Sequence, residues 1–148
     1  MVFSIIQKSQ LEGAHRLDAE YYQPEFLQTV ELIKSKSHKK LGDIISVLTD
    51  YHANGSYEIL RGNVRLSENP DYALMVRAID LEKNNFEDDV RYVSEHAYNF
   101  LQKSRIYGEE IIIDKIGNAG EVFLMPDLKR PVTLGMNLFM IRLESDFN

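Results

Sequence analysis

Apolar residues recur at helical spacing in the first part of the chain and in short, interrupted runs after it. Phe26, Val30 and Ile33 are spaced as on one face of a helix, and Pro24 suits a first helical turn. We therefore predict a helix within residues 17–36. The polar, lysine-rich residues 35–40 that follow are interpreted as a linker.

From residue 41 onward, short apolar runs alternate with Gly, Asn, Asp and Pro. These runs predict strands over residues 57–60, 72–79, 110–115, 121–125 and 136–143, whereas residues 44–48 suit either a strand or a helix. Asn54-Gly55 is a strong turn signal, and Ser94 is a good N-cap for a short helix over 94–101, with Tyr98 and Leu101 facing inward.

Together these elements favour an α+β fold. We expect a mostly antiparallel, twisted sheet with short helices, preceded by an N-terminal helix. The predicted organisation is a helical lead-in and linker over residues 1–40, then one domain over 41–148. A chain of 148 residues is long enough to bury a real core in that domain.

Composition narrows the classes of protein. No apolar run could span a bilayer, and the first residues become polar too early for a signal peptide. The chain has no cysteine, which removes disulfides and sulfur-based zinc sites and is compatible with the cytoplasm, where we expect the protein. Its formal net charge is −6, whereas free DNA-binding domains are usually basic.

Charge is unevenly distributed along the chain. Residues 80–89 hold five acids and one lysine, and residues 34–40 hold four lysines and no acid. Any surface that binds phosphate must therefore exclude the acidic segment, or a partner must supply most phosphate contacts.

Patterns of known catalysts are incomplete. Residues 69–72, Asn-Pro-Asp-Tyr, resemble the Asn-Pro-Pro-Tyr motif of adenine methyltransferases, but no glycine-rich loop precedes them. Pro70-Asp71 and residues 127–129 lie too far apart for the usual metal-dependent nuclease pattern, and the four histidines lack metal-ligand spacing. We expect no enzymatic activity, no metal and no cofactor.

The order of motifs after residue 92 is more specific than any one of them. A short helix is followed by a basic-Ser pair, a Gly-acid-Ile strand, a Gly-x-x-Gly turn and an Asn-containing strand. The matching segments are Lys103-Ser104, Gly108-Glu109-Glu110-Ile111, Gly117-Asn118-Ala119-Gly120 and residues 135–143. This order resembles the target recognition domains in specificity subunits of type I restriction-modification enzymes, although Gly108-Glu109-Glu110-Ile111 departs from the common Gly-Asp-Ile.

The resemblance extends to Leu41-Gly42-Asp43-Ile44, similar to the opening of such domains, and to the lead-in over residues 16–22. It implies a non-catalytic protein that reads half of a bipartite site in double-stranded DNA and directs methylation and restriction subunits to it. The family's long spacer helix and second domain do not follow Leu143. An excised domain, a half-length subunit that forms a homodimer, and a degenerate fragment all remain open.

Candidate DNA-binding residues are those with side chains suited to base edges or phosphates on expected loops. They are Tyr51, His52, Asn54, Ser56, Arg61, Asn63, Lys103, Arg105, Lys115 and Asn118. The alternative for residues 51–57 is a hairpin turn whose aromatics pack on the sheet, and for Lys103 and Arg105 a helix C-cap.

The function predicted first is sequence-specific DNA recognition, with the acidic segment 80–89 pointing away from DNA. The alternative is a non-catalytic interaction module that binds a methyltransferase subunit or a second copy of itself, which the acidic charge and the apolar face of the first helix favour.

Overall fold

The computed structural model describes residues 4–144. Residues 1–3 and 145–148, which belong to the two predicted segments, lie outside the described residues. The chain divides into two compact units, residues 1–43 and 44–148. The division lies close to the predicted boundary after residue 40.

Among its described residues, the first unit contains two helices and two 3₁₀ turns. The helices are α1 (Lys8–Ala14) and α2 (Pro24–Lys34), and the turns are Ala19–Tyr22 and Leu41–Asp43. Pro24 occupies the first turn of α2, as expected from its fixed φ. The predicted helix over residues 17–36 is thus shorter than expected and interrupted at Gln23, and α1 was not predicted.

The second unit contains eight strands and three helices among the described residues. The strands are β1 (Ile45–Asp50), β2 (Ala73–Val76), β3 (Arg91–Val93), β4 (Arg105–Ile106), β5 (Ile111–Asp114), β6 (Val122–Leu124), β7 (Val132–Leu134) and β8 (Leu138–Leu143). The helices are α3 (Tyr57–Asn63), α4 (Ala78–Glu82) and α5 (Glu95–Phe100).

These strands form two four-stranded sheets. The first has the order β1-β8-β5-β6 and is antiparallel throughout. The second has the order β3-β2-β7-β4, in which only the pair β2–β7 is parallel. The α+β class with mostly antiparallel sheets and short helices is therefore confirmed.

Strand β2 lies between two cores because successive side chains of a strand point to opposite faces. Leu74 and Val76 join a cluster with Ile112 and Met140 of the first sheet, so this core lies between the sheets. Ala73 and Met75 join a second cluster, covered by Leu60 of α3 and by Ala97 and Leu101 at α5. The unit is thus layered as sheet, sheet and helices.

Local signals explain several elements. Ser94 caps α5, with its hydroxyl accepting the N–H of Ala97 at 3.3 Å, and Leu101 is fully buried, as predicted. Of residues 44–48, which suited either a strand or a helix, all but the first belong to strand β1. The β5–β6 hairpin and the last strand are also confirmed, and β2 ends at Val76, earlier than predicted.

The predicted strand over residues 57–60 is wrong, because these residues form the start of α3. Asn54-Gly55 leads into a helix in place of a hairpin. Ser56 is the N-cap, and its hydroxyl accepts the N–H of Ile59 at 3.5 Å. Leu60 then lies on the inner face of the helix, where it is buried against the second core.

Candidate nucleic-acid interface

Two predicted DNA-binding segments, nearly 50 residues apart, meet at one corner of the second unit. The 3₁₀ turn Tyr51–Asn54 follows β1, and its first turn is capped by Asp50, which accepts the N–H of Ala53 at 2.9 Å. The 3₁₀ turn Gln102–Ser104 follows α5. Hydrogen bonds of Asn54 link the two turns. We refer to the turns Tyr51–Asn54 and Gln102–Ser104 together as the corner.

Every polar atom of the Asn54 amide is engaged in this junction. Its Nδ2 donates to the Tyr51 carbonyl at 3.0 Å and to Ser104 Oγ at 2.8 Å, while Oδ1 accepts the N–H of Lys103 at 2.9 Å. A base contact would require some of these bonds to break. The bonds of Asn54 therefore favour a structural role over base reading.

His52, Ser56 and Lys103 have exposed side chains at or beside the corner. The His52 ring contacts the Tyr51 ring edge-on, with centroids 5.5 Å apart. The Ser56 hydroxyl is engaged as the N-cap of α3. Lys103 uses its backbone N–H in the bond to Asn54, and none of the described residues pairs with its ammonium. Lys103 is therefore the predicted cation that remains available to contact phosphate at the corner.

Arg105 is more constrained than Lys103. Its guanidinium carbon lies 4.5 Å from the centroid of the Tyr98 ring, and it donates to the Tyr98 carbonyl at 3.4 Å and to Asn99 Oδ1 at 3.0 Å. These contacts fix the cation beside the end of α5 while leaving it half-buried. The predicted alternative, a cation that complements the C-terminus of the helix, matches this arrangement.

Lys115 is engaged inside the unit. Its ammonium pairs with Asp50 at 2.8 Å and lies 4.7 Å from the centroid of the Phe139 ring, and its side chain is only 17% exposed. Burial alone raises the pKa of Asp50. The hydrogen bonds from Lys115 and from the Ala53 N–H outweigh that effect and hold the pKa below its usual range. Lys115 thus supports the cap of the Tyr51–Asn54 turn.

The two remaining asparagines are also bonded. Asn63 donates to the Ile59 carbonyl at 2.8 Å, and its Oδ1 lies 3.2 Å from His96 Nε2, which links α3 to α5. Asn118 donates to Glu82 Oε1 at 3.3 Å. Asn118, predicted to face DNA, therefore lies against the acidic segment 80–89, which was predicted to point away from DNA: its hairpin turn contacts Glu82 at the end of α4.

Asp80, although part of that acidic segment, contributes no exposed charge. It is 3% exposed and pairs with Arg77 at 2.7 Å, and it also accepts the Arg77 N–H at the start of α4. The exposed acids of the segment are Glu82, Glu87, Asp88 and Asp89. Because residues 1–43 hold equal numbers of acids and bases, the whole formal charge of −6 falls on the second unit.

Tyr51 and Arg61 lie at a different feature, a cleft of about 460 Å³ beside α3. Tyr51 is buried, as the packing alternative predicted. The lining also includes Ile79, Ile116 and Met136, which were not predicted from the sequence. No local pattern marks them because they come from three separate segments.

Neither a metal site nor a membrane span was found in the part of the chain that the structure describes. No group of three or more His, Asp or Glu side chains in residues 4–144 could hold a metal ion. Over the same residues, no helix combines the length and the apolar character needed to cross a bilayer.

Compared with known proteins, the chain matches no protein-family model and no curated protein sequence.

Proposed function

We propose that the chain recognises double-stranded DNA as a target recognition domain of a type I restriction-modification specificity subunit. The observation that carries the proposal is the corner, where the Tyr51–Asn54 turn meets the Gln102–Ser104 turn and Lys103 presents an ammonium that none of the described residues pairs with. In the order of motifs of the target recognition domains that the chain resembles, the basic-Ser pair lies at this position. Phosphate anchoring is the role that suits an exposed cation on a rigid turn.

The proposed DNA face is smaller than the set of residues first considered. It retains His52, Ser56, Lys103 and Arg105. Asn54, Asn63, Lys115 and Asn118 form internal bonds, and Tyr51 and Arg61 line the cleft.

One carboxylate limits the attraction between this face and phosphate. Glu58 occupies the first turn of α3, which begins just after the Tyr51–Asn54 turn. With so few cations, the domain contributes few phosphate contacts. We infer that methylation subunits supply the remainder within the assembled complex, in the cytoplasm, and that catalysis belongs to the methylation and restriction subunits.

The test is DNA binding by the chain assembled with its methylation subunits, using a random-sequence duplex library over a range of NaCl concentrations. We expect a sequence motif to be enriched. Replacing Lys103 with Ala should weaken binding to all sequences and lower the salt slope by about one unit.

Lys83→Ala is the matched control, because Lys83 lies in the acidic segment and its loss should leave both quantities unchanged. An assembled complex that enriches no motif would contradict the proposal. Equal salt slopes for wild type and Lys103→Ala would show that the corner does not contact DNA.

A second function, a non-catalytic module that binds a methyltransferase subunit or another copy of the chain, is favoured by α2. No side chain of α2 is buried, and Phe26 and Ile33 are about half exposed. Such a module should associate with its protein partner without the steep salt dependence of DNA binding. Loss of that association on changing Phe26 and Ile33 to Ser would support it, and unchanged association would exclude α2 as the interface.

A further inference from the structure

The cleft beside α3 has an apolar floor and an apolar rim. Leu60 and Met75, both members of the second core, form part of the floor. On the rim, Tyr57, Ile116 and Met136 are 65%, 64% and 50% exposed. Exposed apolar side chains that converge on one concavity commonly mark a binding site.

The residue types around the cleft are those of protein interfaces. Tyrosine, methionine and arginine are enriched in the cores of such interfaces, whereas lysine, aspartate and glutamate are depleted. The described lining contains no Lys, Asp or Glu. Its residues of the enriched types are Tyr51, Tyr57, Met75, Met136, Arg61 and Arg77. The remaining lining residues are aliphatic, apart from one glycine and Asn137.

One hydroxyl in this lining forms no hydrogen bond with the described residues. Tyr51 is 6% exposed as a residue, yet no buried polar side-chain atom among the described residues lacks a hydrogen-bond partner. The Tyr51 hydroxyl therefore stays accessible, on a residue that lines the cleft. Burial raises the pKa of Tyr51, so the group stays protonated and can donate a hydrogen bond.

The charge of the cleft is also unbalanced. Arg77 is neutralised by Asp80. Arg61 lines the cleft with an exposed guanidinium, and no described residue pairs with it. A guanidinium that no described residue pairs with, beside an apolar concavity that a tyrosine hydroxyl donor also lines, complements a group that combines an apolar body with a negative charge.

We propose that this cleft docks a partner protein through a large apolar side chain flanked by a carboxylate, with the apolar side chain over Met75 and the carboxylate on Arg61. This binding is separate from the proposed reading of DNA. A nucleotide is the less favourable occupant because the walls are mostly aliphatic and Tyr57 alone exposes most of an aromatic ring for stacking.

The test uses the full chain as bait for a displayed library of random ten-residue peptides. We expect selected peptides to share a large apolar residue next to Asp or Glu. A synthetic peptide with the selected sequence then provides the probe, and its affinity is measured by fluorescence anisotropy.

Two pairs of variants locate the peptide. Arg61→Glu and Ile116→Asp, both in the cleft lining, should weaken binding about tenfold or more. Their controls are Arg65→Glu and Val122→Asp, which change an exposed arginine and an exposed β-branched residue outside the lining and should bind as wild type.

Three results would overturn the proposal: no enrichment of peptides, enrichment of peptides without acidic residues, or equal affinity of all four variants. Displacement of the peptide by duplex DNA, with loss of DNA binding in Arg61→Glu, would assign the cleft to nucleic acid. Failure of the corner to bind DNA would leave the peptide result unaffected, so the two proposals fail independently.

Discussion

Glu110 is the most deeply buried carboxylate in the described chain, at 1% exposure, and it closes the turn between β4 and β5 from inside. It accepts the N–H of Tyr107 at 2.9 Å and of Gly108 at 2.8 Å, and it pairs with Arg142 at 2.7 Å. Gly108 has a φ of 110°, and a Cβ there would lie 2.7 Å from Cβ of Asp127.

Glu110→Ala should therefore lower the free energy of unfolding by about 3–5 kcal/mol, because it leaves Arg142 and two amides without their shared acceptor. Glu109→Gln changes the exposed neighbour of Glu110 and should shift the free energy of unfolding by less than about 0.5 kcal/mol. Urea denaturation of both variants measures the difference. A similar midpoint for the two variants would contradict the role assigned to Glu110.

Asp50 makes stability depend on pH, and the direction follows from its lowered pKa. A carboxyl whose pKa is lower in the folded state stabilises the protein above its unfolded pKa, and that stabilisation is lost as pH falls through the folded pKa. For Asp50, the stabilisation should be complete above about pH 4 and decline below it.

Asp50→Asn should consequently be less stable than wild type near neutral pH, and the difference should narrow as pH falls below about 4. Thermal unfolding across pH 2–7 tests this window, with Asp71→Asn, at an exposed position, as the control. A stability difference that stays constant over the whole range would exclude Asp50 as the titrating group.

At the scale of elements, α5 depends on its cap because it is only six residues long. Ser94→Ala removes the acceptor for the Ala97 N–H and should cost about 1 kcal/mol in unfolding free energy, whereas Ser94→Asp should retain most of the stability. Because the Gln102–Ser104 turn follows α5, amide exchange should also increase at Lys103 in the alanine variant only. Unchanged amide exchange at Lys103 would show that the corner does not depend on the Ser94 cap.

Helix α2 should exchange its amide protons faster than β5 and β8. The structural basis is burial: α2 has no buried side chain, whereas Ile112 of β5 and Leu138 of β8 are fully buried. Hydrogen exchange followed by NMR compares these elements within one sample. Protection of α2 equal to that of β5 in the monomer would contradict the prediction.

At the scale of the whole molecule, both cores lie within residues 44–148. Between residues 4 and 43, Tyr22 is the only buried side chain. A chain of residues 44–148 should therefore fold without the first unit and unfold cooperatively near the wild-type transition. Circular dichroism and dispersed amide resonances test this expectation, and an unfolded fragment would refute it.

The sequence alone determined those elements whose signals are local. Ser94 identified the start of α5, and the turn at Gly117–Gly120 between two apolar runs identified the β5–β6 hairpin. Caps and apolar alternation act between residues a few positions apart, so they can be read without the fold. The same reading placed Lys103 on an exposed turn.

Only the tertiary structure decided which polar side chains are free to bind. Asn54 and Lys115 resembled DNA-contacting residues in sequence, but bonds to Ser104 and Asp50, each about 50 residues or more away along the chain, engage them inside the protein. The cleft had no signal in sequence, because its walls come from separate segments that the two sheets bring together. A local pattern specifies what a side chain can bond to, whereas long-range packing decides whether that capacity is already used.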